Sequence, residues 1–166
     1  MLLWQLFKEP KKPAVSKSNS TQNPLLVFFC QVDFIEIHAA HGYLLHAFLS
    51  PLSNTRSDEN GGQPLQNRLR FPLRLIKSCR EAWPEKPLFV RISATDWAEG
   101  PEKDEQGIWK QWGIDQSTIF VGKLQELGVD LIDCSSGGNW VHQKIPLKPG
   151  YQVRYPFVHW NTLTLD

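Results

Sequence analysis

A short apolar run, Phe34-Ile35-Glu36-Ile37, breaks at once into His38-Ala-Ala-His41-Gly-Tyr43, and this junction constrains the fold more than any other stretch. The run has the length and β-branched content of a buried parallel strand. Ring-bearing polar residues follow without a spacer, the pattern of a strand that delivers chemistry at its C-terminal tip. His38 and His41 are three apart, so a helical turn after the strand would point both imidazoles the same way, about 4.5 Å apart along the axis. Tyr43 brings a phenol to the same place.

Two further strands follow at regular intervals. Pro87-Leu-Phe-Val-Arg91-Ile-Ser93 is the second and Val129-Asp-Leu-Ile-Asp-Cys134 the third, the latter running into Ser135-Ser136-Gly137-Gly138. Between the first two, a helix is expected from near Pro64, a favoured first-turn residue after Gly61-Gly62. Its apolar stripe is Leu65, Leu69, Leu73, Ile76 and Trp83, with Arg68, Arg70, Arg74 and Lys77 on the solvent side. Pro72 interrupts it, and an interior proline costs about 3 kcal/mol or kinks the helix. A second helix spans about 115–127, capped by Asp115 or Ser117 and ended by Gly128. Residues 96–113, rich in tryptophan and charge, form a long loop of the kind that overhangs a barrel mouth. Strand, helix and strand recurring at this spacing predict right-handed βαβ units and a parallel sheet.

Charge is balanced, 18 basic against 17 acidic residues, so no bulk field draws the chain to nucleic acid or an anionic membrane. No apolar run reaches the roughly 18 residues of a membrane span, and Met1–Phe7 runs into Lys8-Glu9-Pro10, not into the small residues of a cleavage site. The three cysteines are too few and scattered for a disulfide framework or an iron–sulfur site. A cytoplasmic protein in a reducing compartment is expected.

Several side chains admit two readings on residues alone. His38 and His41 either meet a ligand or cap a strand end, and His46 and Cys134 do not complete a zinc pattern with them. Arg91, a lone charge in an apolar strand, either meets an anionic group or pairs with Glu36 or Asp133. Tyr43 is substrate-facing or a packed aromatic. Ser135, Ser136 and Gly137 would let backbone approach a ligand closely, although a Ser-Gly turn after a strand is common.

Ordered motifs add a resemblance. The segment Glu36-Ile-His-Ala-Ala-His-Gly-Tyr-Leu44, then Phe48-Leu-Ser-Pro-Leu-Ser-Asn54, Arg56-Ser-Asp-Glu-Asn-Gly-Gly62, Asn67-Arg-Leu-Arg-Phe71, Val90-Arg-Ile-Ser-Ala94, 128–138 and Pro149-Gly-Tyr-Gln152 resemble the Old Yellow Enzyme family of FMN-dependent NAD(P)H oxidoreductases. The resemblance covers residues 32–152 and implies part of a (β/α)8 TIM barrel, about three βα units with parallel strands. A complete barrel needs about 200–250 residues or more, against 166 here.

The resemblance implies FMN as cofactor, NADPH or NADH as reductant, and a small α,β-unsaturated carbonyl as substrate. It assigns His38 and His41 to the substrate's carbonyl oxygen or the nicotinamide carboxamide, and Tyr43 to the substrate. Arg91 would lie against the flavin pyrimidine edge, and Ser135, Ser136 and Gly137 would contact the cofactor. Ligand spacing, charge and hydropathy lead to the expectation of no metal, no nucleic acid and no membrane, and a homo-oligomer is possible for the full-length enzyme. The larger 2-enoate and dienoyl reductases share the barrel but add an iron–sulfur cluster, for which clustered cysteines are lacking. A different outcome is a non-catalytic remnant that serves as an interaction module.

The ends depart from the pattern. Residues 1–31 mix Lys, Pro, Ser, Asn and Gln without a period and read as disordered or intron-derived, since Phe28-Phe-Cys-Gln31 is what a splice-acceptor tract would encode. Residues 153–166 form a divergent tail, with Val153-Arg154 at the position of a splice donor. A chain with three strands of eight is expected to hold FMN weakly or not at all alone.

Overall fold

The computed structural model describes residues 32–152; the expectations for 1–31 and 153–166 fall outside the described residues. In chain order the elements are β1 (Ile35–Ala39), α1 (Leu44–Leu49), α2 (Leu65–Ala82), β2 (Leu88–Ser93), α3 (Ile114–Glu126) and β3 (Leu131–Ser135). The strands form one parallel sheet in the order β1-β2-β3. This is the expected βαβ alternation, about three units of a (β/α)8 barrel.

Alternation along the strands sorts their side chains onto two faces. Ile35, Ile37 and Ala39 of β1 and Leu88, Val90 and Ile92 of β2 are buried, and they join Leu69, Ile76, Phe120 and Leu124 from α2 and α3 in one core. The intervening residues of β1 and β2, Glu36, His38, Phe89 and Arg91, are only half-buried and occupy the other face. In β3 the same alternation places Asp133 beside Arg91.

The expected stripe of α2 holds: Leu69 and Ile76 are buried, and Leu65, Leu73 and Trp83 pack against the core. Arg68 does not belong to the solvent side. It is fully buried, donating Nε–H to the Gly62 carbonyl at 3.1 Å, Nη2–H to Gln116 Oε1 at 2.6 Å, and Nη1–H to the Leu49 carbonyl. One guanidinium thereby ties α1, the loop after it and α3 to α2, and burial lowers its pKa to about 10. Helical spacing placed Arg68 outside because periodicity cannot see a neighbouring element closing over that face. Helix α2 also runs unbroken through Pro72. That residue is buried, and its missing N–H leaves the Arg68 carbonyl without its usual helical donor.

Two further readings change. Neither Asp115 nor Ser117 caps α3: the N-cap is Gly113, and the Glu102 carboxylate, arriving from the preceding loop, accepts the Asp115 N–H at 3.3 Å. Gly128 does close this helix, with φ 76°. The loop 96–113 does not simply overhang. Its tip carries a bridge between Lys103 and Trp109, but its two ends, Asp96 and Trp112, are fully buried. No helix of the described residues is long and apolar enough to cross a membrane.

Candidate functional site

The half-buried face of the sheet is built in rows, because parallel register sets equivalent residues abreast. His38 is level with Arg91, and Arg91 with Asp133; one row nearer the C-terminal ends, Ser93 is level with Ser135. A base-like ring, a cation and a carboxylate therefore span three strands on one surface. Arg91 Nε lies 3.2 Å from Asp133 Oδ2, an ion pair with both side chains more than a third exposed. The pairing lies off the line of a hydrogen bond, leaving that buried N–H unspent. The alternative reading of Arg91 as an ion-pair partner is thus seen, with Asp133 in the role.

The chain after β1 does not take the helical turn that would have set His38 and His41 on one side. His38 stays on the strand, whereas His41 adopts a left-handed backbone (φ 57°) followed by Gly42 at φ 76°, and α1 begins only at Leu44. The rings still converge. His38 and His41 have centroids 5.1 Å apart, and Tyr43, half exposed, lies 5.3 Å from His38. The two-residue kink brings the two rings together as a helical turn would have done.

Two serines hold this kink. Ser93 Oγ accepts the His41 N–H at 3.0 Å and donates to the Gly137 carbonyl at 2.8 Å, coupling the ends of all three strands. Ser135 Oγ meets His41 Nε2 at 2.5 Å. Gly42 and Gly138 touch so closely that a Cβ on Gly42 would overlap the Gly138 carbonyl oxygen, so neither position tolerates a side chain. Gln152 reaches back, its Nε2 at 3.4 Å from both Ser135 Oγ and Ser136 Oγ. All seven candidates, His38, His41, Tyr43, Arg91, Ser135, Ser136 and Gly137, lie on β1–β3 or just beyond their C-terminal ends.

Burial, with neighbouring positive charge, biases both imidazoles toward the neutral form. Partial burial lowers the pKa of His38, and Arg91 adds to the effect; burial lowers that of His41, with His38 and Arg91 adding. Burial raises the carboxyl of Glu36, and Asp133 raises it further. The surface thus offers neutral ring donors beside one fixed guanidinium, an arrangement suited to an oxygen that gains negative charge.

Residues that sequence reasoning left out are Ser93, Gln152 and the buried pair His46 and Asp96. Ser93 and Gln152 stand inside motifs quoted above, so position within a motif was an available signal. Nothing local distinguishes His46 from any polar residue on a short helix.

The parallel sheet, with the candidate side chains gathered at the C-terminal ends of its strands, is a segment of an α/β barrel. Residues 24–154 match the NADH:flavin oxidoreductase / NADH oxidase family, and the chain belongs to it. It is 50% identical over 123 residues to an NADPH dehydrogenase of Bacillus subtilis (strain 168), covering 74% of this chain and 32% of that protein. An NADH:flavin oxidoreductase of Gibberella zeae is 48% identical over 124 residues, covering 73% and 30%. The chain thus spans about a third of the length of these relatives. Among solved structures it superposes on morphinone reductase with TM-score 0.54 at 23% identity, over 76% of this chain and 32% of that one. A 2-naphthoyl-CoA reductase gives TM-score 0.64 at 23% identity, over 79% and 19%. At that identity the two structures bear on the fold, and they bear out a partial TIM barrel. The resemblance to the Old Yellow Enzyme family is borne out, and membership of the family implies FMN with a nicotinamide reductant.

Proposed function

We propose that this chain carries the substrate-facing part of an ene-reductase-type enzyme acting on the C=C bond of small α,β-unsaturated carbonyl compounds. The observation that carries the reading is the convergence of His38, His41 and Tyr43 at one strand end, with His38 level with Arg91 on the neighbouring strand. FMN, when bound, would supply the two-electron hydride chemistry between NADPH or NADH and the β-carbon.

The protein's part is to hold the carbonyl oxygen. Charge grows on that oxygen as hydride adds, so two N–H donors aimed there stabilise the transition state more than the ground state. Both rings must be neutral, each with one N–H to give, and the lowered pKa values supply that state near neutral pH. For His41 the donor is Nδ1–H if the Ser135 hydroxyl donates to Nε2, a direction that the Gln152 amide favours by donating to Ser135 in turn. Arg91, a cation in the middle of the open face, would fit the electron-rich edge of a flavin, where its charge would offset charge gained on reduction. Ser135, Ser136 and Gly137 fit backbone and hydroxyl contacts to the same group. Tyr43, half exposed, faces the substrate.

The test is a chimera in which residues 32–152 replace the matching segment of the Bacillus subtilis NADPH dehydrogenase. The expected product is a yellow protein that oxidises NADPH in the presence of cyclohex-2-enone. His38→Ala and His41→Ala should each lower kcat about 10²-fold or more, the usual loss for one oxyanion donor, with flavin content unchanged. Undiminished enone reduction by both variants would sink the proposal. A folded chimera that takes up no flavin would favour a non-catalytic interaction module instead.

A further inference from the structure

The proposed reaction gives no role to the buried histidine of α1. His46 lies on α1 with no solvent exposure, four residues beyond the Gly42 turn. A polar ring in an apolar setting is costly unless both nitrogens are satisfied. Here Nδ1 is hydrogen-bonded to the turn that carries His41, and Nε2 has a carboxylate as its close neighbour. Nδ1 accepts the Gly42 N–H at 2.9 Å. Nε2 faces Asp96 Oδ1 at 3.1 Å, a close electrostatic contact off the axis of a linear hydrogen bond.

Asp96 is itself immobilised. It is fully buried at the start of the loop after β2, and its other oxygen accepts the Ser50 hydroxyl at 2.6 Å and the Trp112 N–H at 2.9 Å. An accepted N–H fixes Nδ1 as the unprotonated nitrogen, so the ring proton sits on Nε2, facing the carboxylate. The chain of contacts then runs from Asp96 through His46 to the Gly42 amide, which begins one bond after the left-handed His41. A non-glycine residue in that conformation is strained and persists only where its surroundings hold it.

We propose that His46, oriented by Asp96, is a positioning residue for His41: it holds the left-handed turn that carries the His41 imidazole to Ser135. His46 touches neither substrate nor flavin in this scheme. The inference rests on the reading of His41 as a donor to substrate, but its test needs no flavin or turnover, so failure of either can be told from failure of the other.

The test is long-range proton–nitrogen NMR of the imidazoles in the ¹⁵N-labelled full chain, together with hydrogen exchange at the Gly42 amide. The wild-type chain should show His46 as the Nε2–H tautomer with a hydrogen-bonded Nδ1. In His46→Leu the Gly42 amide should exchange at least tenfold faster, and the His41 ring nitrogens should shift away from their wild-type positions. His46→Asn, whose Oδ1 can take the place of Nδ1, should restore both signals. A merely structural histidine would lower stability in both variants without moving the His41 spectrum. Wild-type His46 protonated on Nδ1, or a folded His46→Leu with unchanged Gly42 exchange and His41 spectrum, overturns the proposal. If His46→Leu does not fold, the wild-type tautomer and His46→Asn decide: a folded Asn variant that fails to keep the Gly42 protection and His41 signals also overturns it.

Discussion

On one face of the sheet Ile37, Val90 and Ile92 have no solvent exposure and meet the helices; one residue away along the same strands, His38 and Arg91 stand half-buried on the other. The same backbone hydrogen bonds serve both faces, so the contrast comes from side chains and what covers them. The covered face supplies the cohesion. The open face carries Glu36, His38, Arg91 and Asp133, charges and rings that a core would exclude unless paired. Stability and chemistry are thus separated by the two-residue period of a strand, and substitutions should respect that division.

The largest effect should come from behind the covered face. Arg68→Met removes a buried guanidinium and strands three acceptors, Leu49 O, Gly62 O and Gln116 Oε1, so a loss of roughly 3–5 kcal/mol is expected from chemical denaturation. A loss below about 1 kcal/mol would mean that water replaces the guanidinium, and the covered face would be less closed than its burial implies.

Ile92→Ala and Arg91→Gln sharpen the comparison because they are neighbours on β2 pointing opposite ways. The first should cost about 2–4 kcal/mol through a cavity in the core. The second breaks a solvent-screened pair with Asp133 and should cost about 1 kcal/mol or less, while weakening flavin uptake in the chimera. Equal stability losses from the two would erase the proposed division of labour.

The smallest effect is a titration. His38 and His41 have pKa values below the ordinary imidazole value of 6.5, with burial as the main cause. A depressed folded-state value favours the neutral ring, so the stability these groups contribute is present above pH 6.5 and is lost as pH falls from there through the lowered folded values. Proton NMR of the two rings should show midpoints under 6.5, and Arg91→Gln should raise both, since its charge opposes a second cation nearby. Midpoints at or above the ordinary value would show that the open face is fully solvated.

Much of the architecture was legible before any coordinates. The apolar runs ending in His38, Ser93 and Ser135 are strands because short β-branched segments flanked by turns have few alternatives, and the α2 stripe from Leu65 to Trp83 held because period is a local property. Helix α1 was missed: at six residues it is too short to establish a period. The site residues were legible only through their motifs. That His38 and His41 meet could be expected; that they meet through a left-handed kink instead of a helical turn could not, because the conformation is imposed by Ser93, His46 and the crowding of Gly138.

The amino-acid order by itself determined which segments are strands and helices, which strand ends carry rings and charges, and which family the motifs resemble. Those properties are written in neighbours along the chain. Only the tertiary structure decided that Arg68 is interior, that Glu102 supplies the cap of α3, that Asp133 pairs with Arg91, and that Asp96 stands behind His46. Each of these joins residues at least 13 positions apart or depends on a helix packed from elsewhere, and the energy of a buried polar group depends on which distant partner satisfies it.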